Sequence, residues 1–159
     1  MEETKDRIIG ILRATGRPGV DAVIGYLESS NYFSRGGNTH HRERGGLARH
    51  SLEVYEYMTA HARGRFPSDS IAVAALFHDL GKTRRRSGLE HGRWSLDILD
   101  GCGFALTRDE RLAIGRHHDV SADLMTCPLR RVLSLGDCIS TRRWKHAHRD
   151  KCICRRNKA

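Results

Sequence analysis

The spacing of apolar side chains along the chain predicts a succession of amphipathic helices. Residues 2–15 place their apolar side chains on one side of a helix, and a shorter helix covers residues 19–29. Residues 30–46 are rich in Gly, Asn, Arg and His and are expected to be irregular. Few segments alternate between apolar and polar residues as strands do, so the predicted fold class is all-α.

Five more helices are predicted after the irregular segment, at residues 47–62, 68–80, 91–100, 107–117 and 128–147. Ser68 or Asp69 is expected to cap the second of these helices. Thr107 and Glu110 have the spacing of a capping box, and Pro128 suits the first turn of the last helix. The side chains of that last helix that are expected to face inward are Leu129, Val132, Leu133 and Leu135.

The chain of 159 residues is expected to form a single domain, 1–159. We divide it into an N-terminal helical extension (1–37), a core (38–145) and a basic tail (146–159). No apolar run approaches the ~20 residues of a membrane span, and the charged N-terminus is unlike a secretory signal. Five cysteines without a framework spacing indicate reduced thiols and a cytoplasmic protein. Three of them are expected to pack in or near the core: Cys102, Cys127 and Cys138.

The net charge of +9 is concentrated at the C-terminus. Residues 141–159 hold eight Lys or Arg and one acid, Asp150, which gives this segment +7, and the other 140 residues carry only +2. Such a segment can contact nucleic acid or another polyanion. A solvated helix end followed by a frayed terminus is the alternative interpretation.

The dipeptide His78-Asp79 is the strongest indication of chemistry, because it ends an apolar helical run. Burying an imidazole beside a carboxylate is costly unless both are hydrogen-bonded or bound to a cation. His50 lies on the apolar stripe of the preceding helix, and two helices joined by a short connection can bring it opposite His78. Asp137 lies in an apolar part of the last helix, but sequence spacing alone does not place it near the others.

Two imidazoles and two carboxylates form a mixed nitrogen and oxygen ligand set that suits Mn, Fe, Co, Ni or Zn. Such a site can leave positions open for a water molecule, which the metal activates at neutral pH. Asp79 can also bridge two metal ions. The alternative is a set of unrelated buried polar groups.

This arrangement, with His50, then His78-Asp79 in the run His-Asp-Leu-Gly-Lys, then Asp137, resembles the HD-domain superfamily over residues 38–145. Its members are mostly metal-dependent phosphohydrolases with an all-α fold. Residues 38–51 are similar to the segment that leads into the first motif of several bacterial members, including HD-domain 3′–5′ exoribonucleases. The residues that the resemblance implies as metal ligands are His50, His78, Asp79 and Asp137, with His91 and His117 for a second ion.

The resemblance also implies catalytic roles for Asp79 and Lys82. Lys82 would contact a phosphate or the leaving oxygen, although a cation at this helix end can instead serve the helix dipole. Arg84, Arg85 and Arg86 could extend the positive field or form a solvated face. His40 and His41 are expected near the mouth of the pocket, without a ligand role.

Departures from the family's known branches narrow the expected activity. His117-His118-Asp119 stands where cyclic-di-GMP phosphodiesterases have another motif, and Gly81-Lys82 replaces the Glu-Asp pair of guanosine-tetraphosphate hydrolases. No oligonucleotide-binding domain is expected ahead of the core, unlike in the exoribonucleases. We therefore expect a phosphohydrolase that acts on a nucleotide, a short oligonucleotide or another phosphoester, with one or two divalent ions.

Two other functions remain open at this point. One is a non-catalytic, metal-containing module that binds nucleic acid through the basic tail. The other is a di-iron oxygenase of the same fold. No membrane partner is expected.

Overall fold

The computed structural model describes residues 2–37, 39–62, 64–84, 90–119 and 127–148. Within these ranges the chain forms no β-strand, which confirms the predicted all-α class. None of the helices in the described ranges is both long and apolar enough to cross a bilayer. Those described are α1 (Glu2–Ala14), α2 (Val20–Ser29), α3 (Gly46–Ala62), α4 (Ser68–Phe77), α5 (His91–Gly101), α6 (Arg108–Gly115) and α7 (Pro128–Ala147), with a 3₁₀ turn at Leu80–Thr83.

Helix α4 is the central helix, because every residue from Ser70 to Phe77 is buried. It contacts α1, α3, α6 and α7. One side packs Leu76 and Phe77 into a cluster with α1, α2 and α5, and the other packs Ala74 and Ala75 against α3 and α7. A helix that is apolar all round is stable only in such an interior. The residues that directly follow α4, His78 and Asp79, are therefore buried as well.

The N-terminal helices pack into the same cluster as the central helix. Leu12 of α1 and Leu27 of α2 are fully buried there. The connection between these helices is held by Arg17, whose guanidinium donates to Asp69 at 2.8 Å and to Glu110 at 2.7 Å. Because Glu110 is fully buried, the loss of Arg17 would leave an unpaired charge in the interior. These two ion pairs fix the connection between the N-terminal helices to the first turns of α4 and α6.

The helix ends agree with the sequence analysis at α6 and α7 and differ at α4. Thr107 and Glu110 form the predicted capping box, with each side chain accepting from the other's backbone N–H. The predicted side-chain cap of α4 is wrong, because the helix begins at Ser68 directly after Pro67, without a side-chain cap hydrogen bond. Asp69 instead accepts from the N–H of Ser70 and from Arg17. Helices α4 and α6 also end at Phe77 and Gly115, earlier than predicted.

Helix α7 packs against α3, and only some of the side chains that the sequence placed on the packed face are buried. The buried positions include Leu129, Leu133, Gly136 and Ser140, at the spacing of one helical face. Leu135 is 50% exposed and Cys138 is also exposed, so their predicted burial is wrong. Leu135 follows Leu133 by two positions, which turns it about 200° around the helix and away from α3. Cys127 is buried and Cys102 is partly buried, as predicted.

Two glycines allow the close helix contacts that shape the interior. A Cβ atom on Gly136 would lie 3.1 Å from Tyr57 Cδ1, so α7 contacts α3 directly at this position. A Cβ atom on Gly81 would overlap the carbonyl oxygen of His91 and lie 2.8 Å from the backbone nitrogen of Ser95. The N–H of Gly81 also donates to Ser95 Oγ at 2.8 Å. The 3₁₀ turn after Asp79 therefore sits directly on the first turns of α5.

We expect Gly81→Ala to lower the free energy of unfolding by about 1–3 kcal/mol, because backbone atoms of α5 must move to admit the methyl group. Urea denaturation measures the change. The matched control is Gly25→Ala in α2, where the added Cβ would meet no atom within 4 Å. That substitution should raise stability by up to about 1 kcal/mol through helix propensity. An unchanged urea midpoint for Gly81→Ala would contradict the packing described here.

Candidate metal centre

The structure brings the six predicted ligand residues together from five parts of the fold. Five of them are nearly inaccessible to solvent, and the side chain of the sixth, Asp137, is 13% exposed. The ligand assignment itself remains a prediction. The residues are His50 in α3, His78 and Asp79 after α4, His91 at the start of α5, His117 after α6 and Asp137 in α7.

The carboxylate of Asp79 lies between two pairs of histidines. Its Oδ2 atom is 3.7 Å from His50 Nε2 and 3.5 Å from His78 Nε2. Its Oδ1 atom is 3.0 Å from His91 Nε2 and 3.6 Å from His117 Nε2. Each oxygen thus faces its own pair of imidazoles, which is the arrangement that a bridging carboxylate between two cations requires.

Asp137 closes the site from α7. Its Oδ1 atom lies 3.1 Å from His50 Nε2, and its Oδ2 atom lies 3.8 Å from His118 Nδ1. His118 also belongs, with Asp79, His91 and His117, to a group whose potential ligand atoms all lie within 4.8 Å of one another. The sequence analysis did not assign His118, and its only signal was its position beside His117.

Backbone hydrogen bonds determine which nitrogen of two histidines faces the centre. His78 Nδ1 lies 2.8 Å from the carbonyl oxygen of Ala75, and His117 Nδ1 lies 2.8 Å from that of Ile114. A carbonyl oxygen only accepts, so Nδ1 carries the proton in both rings. When these imidazoles are neutral, each Nε2 presents a lone pair to the interior.

The donor set fits a divalent cation. His50 Nε2 and His78 Nε2 are 3.3 Å apart, and His91 Nε2 and His117 Nε2 are 3.1 Å apart. Asp79 Oδ1 is buried and makes no hydrogen bond with any of the described residues, although two imidazole nitrogens lie near it. Buried acceptors that face one another are costly without a positive charge between them. Imidazole nitrogens with carboxylate oxygens are ligands that Mn, Fe, Co, Ni and Zn accept.

The charge states favour cation binding. Burial lowers the pKa of His78 to about 3, so this ring is neutral at pH 7. Burial raises the pKa of Asp79, but the charge that His78 carries when it is protonated at low pH, together with the Lys82 ammonium, outweighs burial and holds the pKa well below its usual range. Burial likewise opposes ionisation of Asp137, while the hydrogen bond with His50 lowers its pKa below the ordinary value. Both carboxylates are therefore ionised and available as ligands.

Lys82 lies beside the candidate centre. Its Nζ atom is 2.5 Å from Asp79 Oδ2, and 24% of its side chain is exposed to solvent. The ammonium thus links the buried carboxylate to the surface. Arg84 is exposed, whereas Arg85, Arg86 and the chain beyond residue 148 lie outside the described residues.

The two histidines expected at the pocket mouth occupy different environments. His41 is fully buried, so the expected mouth position is wrong for this residue. Its Nε2 atom lies 3.1 Å from Glu53 Oε2. His40 is partly buried, and its ring centroid lies 4.8 Å from that of His50. Burial and the nearby His50 lower the pKa of His40 to about 4.

A family model described as the HD domain matches residues 47–142, well over half of the chain. The matched range begins in α3, ends in α7 and contains all six predicted ligand residues and Lys82. Helices α1 and α2 precede it. No curated protein and no solved structure gives a significant match.

In the metal-free protein, we expect the free energy of unfolding to fall as the pH is lowered from 6.5 towards 4. The unfolded chain binds a proton on His78 near pH 6.5, whereas the folded chain does so only near pH 3. The unfolded state is therefore favoured by about 1.4 kcal/mol per pH unit in this window. His40 and His118, whose pKa values are lowered to about 4 chiefly by burial, act in the same direction.

Urea denaturation of chelator-treated protein at pH 7, 6 and 5 measures this slope. The carboxylates contribute little to it, because their lowered pKa values affect stability only below about pH 5. In a His78→Asn variant, the change in the free energy of unfolding per pH unit should be smaller by the contribution of about one proton. Stability that is constant between pH 6.5 and 5 would contradict a buried neutral His78.

Proposed function

This chain belongs to the HD domain family, and on that premise we propose that it is a metal-dependent phosphohydrolase. The observation that carries the proposal is the buried Asp79 carboxylate, with a pair of imidazole nitrogens beside each of its oxygens. The substrate class we propose is a nucleotide, a short oligonucleotide or another small phosphoester. Members of this family are largely metal-dependent hydrolases, which supports the reaction class and leaves the substrate to experiment.

The residues divide into two potential metal sites that share Asp79. His50, His78 and Asp137 would hold one divalent ion with Asp79. His91 and His117 would hold a second ion with Asp79, and His118 lies beside these two histidines. When bound, Mn, Fe, Ni, Co or Zn would act as a Lewis acid on the phosphoryl group and generate a water nucleophile at neutral pH.

The chain's own residues supply orientation and charge. The buried carbonyl contacts of His78 and His117 hold their imidazoles in place, so that no reorganisation is needed during the reaction. Lys82 places a partly exposed ammonium on the edge of the site, where a phosphate can meet it. There it would offset the negative charge that develops on the phosphoryl or leaving oxygens.

We expect Asp79→Ala to abolish both metal binding and phosphoester hydrolysis, while the helical content stays unchanged because Asp79 lies outside α4. Metal analysis, circular dichroism and a phosphoester panel with Mn²⁺, Ni²⁺, Co²⁺ and Fe²⁺ provide the measurements. Asp97→Ala, on the exposed side of α5, is the matched control and should keep both properties. A metal-loaded and active Asp79→Ala protein would refute the assignment.

Lys82→Met should retain metal binding but lower kcat roughly 10²-fold, because it removes one positioned charge from the transition state. Arg84→Ala, which removes an exposed cation two residues later, serves as the control and should keep near wild-type kcat. Equal kcat for wild type and Lys82→Met would show that Lys82 serves the helix dipole and takes no part in the reaction.

The same measurements recognise the alternative functions. Tight metal binding without turnover of any phosphoester, together with salt-sensitive nucleic-acid binding that is lost on deleting residues 141–159, would indicate a binding module. Iron as the bound metal, with O₂ uptake in the presence of substrate, would indicate an oxygenase. Turnover of a phosphoester that depends on Asp79 would exclude both.

A further inference from the structure

Glu53 and Ser140 form a hydrogen-bonded relay behind His50. Ser140 Oγ lies 3.0 Å from His50 Nδ1 and 2.7 Å from Glu53 Oε2. We propose that Glu53, acting through Ser140, is a positioning residue that keeps the proton of His50 on Nδ1 and thereby directs the Nε2 lone pair at the metal centre. This inference rests on the metal binding proposed above.

The direction of the relay follows from what each group can donate. Burial raises the pKa of Glu53, but the hydrogen bonds from His41 and Ser140 lower it below the ordinary value. The ionised carboxylate can only accept, so the single hydroxyl proton of Ser140 is donated to Glu53. The Ser140 oxygen then accepts from His50 Nδ1–H. In the metal-free protein a proton on Nε2 can still be donated to Asp137, 3.1 Å away, and a metal ion would replace that proton while Ser140 keeps the one on Nδ1.

His50 needs such a relay more than His78 and His117 do. His78 and His117 donate to backbone carbonyls, which cannot donate in return. A serine hydroxyl can either donate or accept. Without a carboxylate behind it, Ser140 could donate to His50 Nδ1 and place the ring proton on Nε2. That proton would face Asp137, 3.1 Å away, and block the nitrogen as a ligand.

His41 holds the carboxylate of Glu53 in position. Its Nε2 atom lies 3.1 Å from the same oxygen, Oε2, that accepts from Ser140. His41 is fully buried, and its backbone carbonyl lies so close to Gly46 that no Cβ atom would fit there. The irregular segment before α3 therefore supplies a fixed donor to Glu53. This contact gives His41 a role that does not require it to bind a metal.

The location of Glu53 makes the relay accessible to substitution. Its side chain is 37% exposed, and with Ser140 it borders a groove of about 570 Å³ between α3 and α7. Replacing the carboxylate by an amide of the same shape therefore leaves no cavity. Glu56, one turn later in α3, lines the same groove but pairs with Arg7 instead of the relay. Glu56→Gln is consequently a matched control.

Calorimetric titration of the chelator-treated 159-residue chain with Co²⁺ tests the proposal. We expect Glu53→Gln and Ser140→Ala each to weaken Co²⁺ binding about 10- to 100-fold, the usual effect of losing a group that orients a metal-binding histidine. Glu56→Gln should keep wild-type affinity. Because both residues act in one relay, the double variant should bind about as weakly as Ser140→Ala alone rather than showing the product of the two losses.

Long-range ¹H–¹⁵N correlation spectra of His50 provide a readout that general destabilisation would not change. The metal-free wild type should show a proton on His50 Nδ1, and both variants should show a larger fraction of the tautomer that is protonated on Nε2 alone. If Ser140→Ala does not fold, Glu53→Gln decides the question alone. Unchanged Co²⁺ affinity and an unchanged tautomer in Glu53→Gln would overturn the relay while leaving the proposed function intact. A wild type that binds no Co²⁺ would overturn both.

Discussion

A buried carboxylate with imidazole nitrogens beside both of its oxygens is the constraint on which the rest of this structure depends. Asp79 is almost inaccessible to solvent, and within the described part of the chain its Oδ1 atom finds no hydrogen-bond donor. Such a group is destabilising by several kcal/mol in an apolar interior unless positive charge compensates it. Lys82 compensates part of this charge from one side. A cation among the facing pairs of imidazoles would compensate the remainder.

The apolar helix α4 and two glycine contacts bring about this convergence. Because α4 is buried all round, the chain that leaves its C-terminal end delivers His78 and Asp79 into the interior. Gly81 then allows α5 to lie directly on the following turn, and Gly136 allows α7 to contact α3. Close packing of this kind fixes side-chain positions more firmly than long side chains between helices would.

Groups outside the proposed ligand set complete the candidate site. The carbonyls of Ala75 and Ile114 set the proton positions of two histidines, and the proposed relay of Ser140 and Glu53 would do so for His50. Preorganised donors and acceptors of this kind keep the ligand nitrogens ready without reorganisation. The same principle explains why the irregular segment before α3 contributes a buried histidine, His41, that points at Glu53 rather than at the centre.

The sequence by itself determined the helical class, most helix positions and the residue types of the site, because apolar periodicity and capping patterns are local properties of the chain. The prediction that Leu135 faces inward was wrong, because this residue does not share the helical face of Leu129 and Leu133, and it is half exposed in the structure. Only the tertiary structure decided that His50 meets Ser140, 90 positions later, and that His118 joins the site. Such long-range contacts depend on how the helices pack, and the local sequence around a polar residue does not determine which distant residue it will contact.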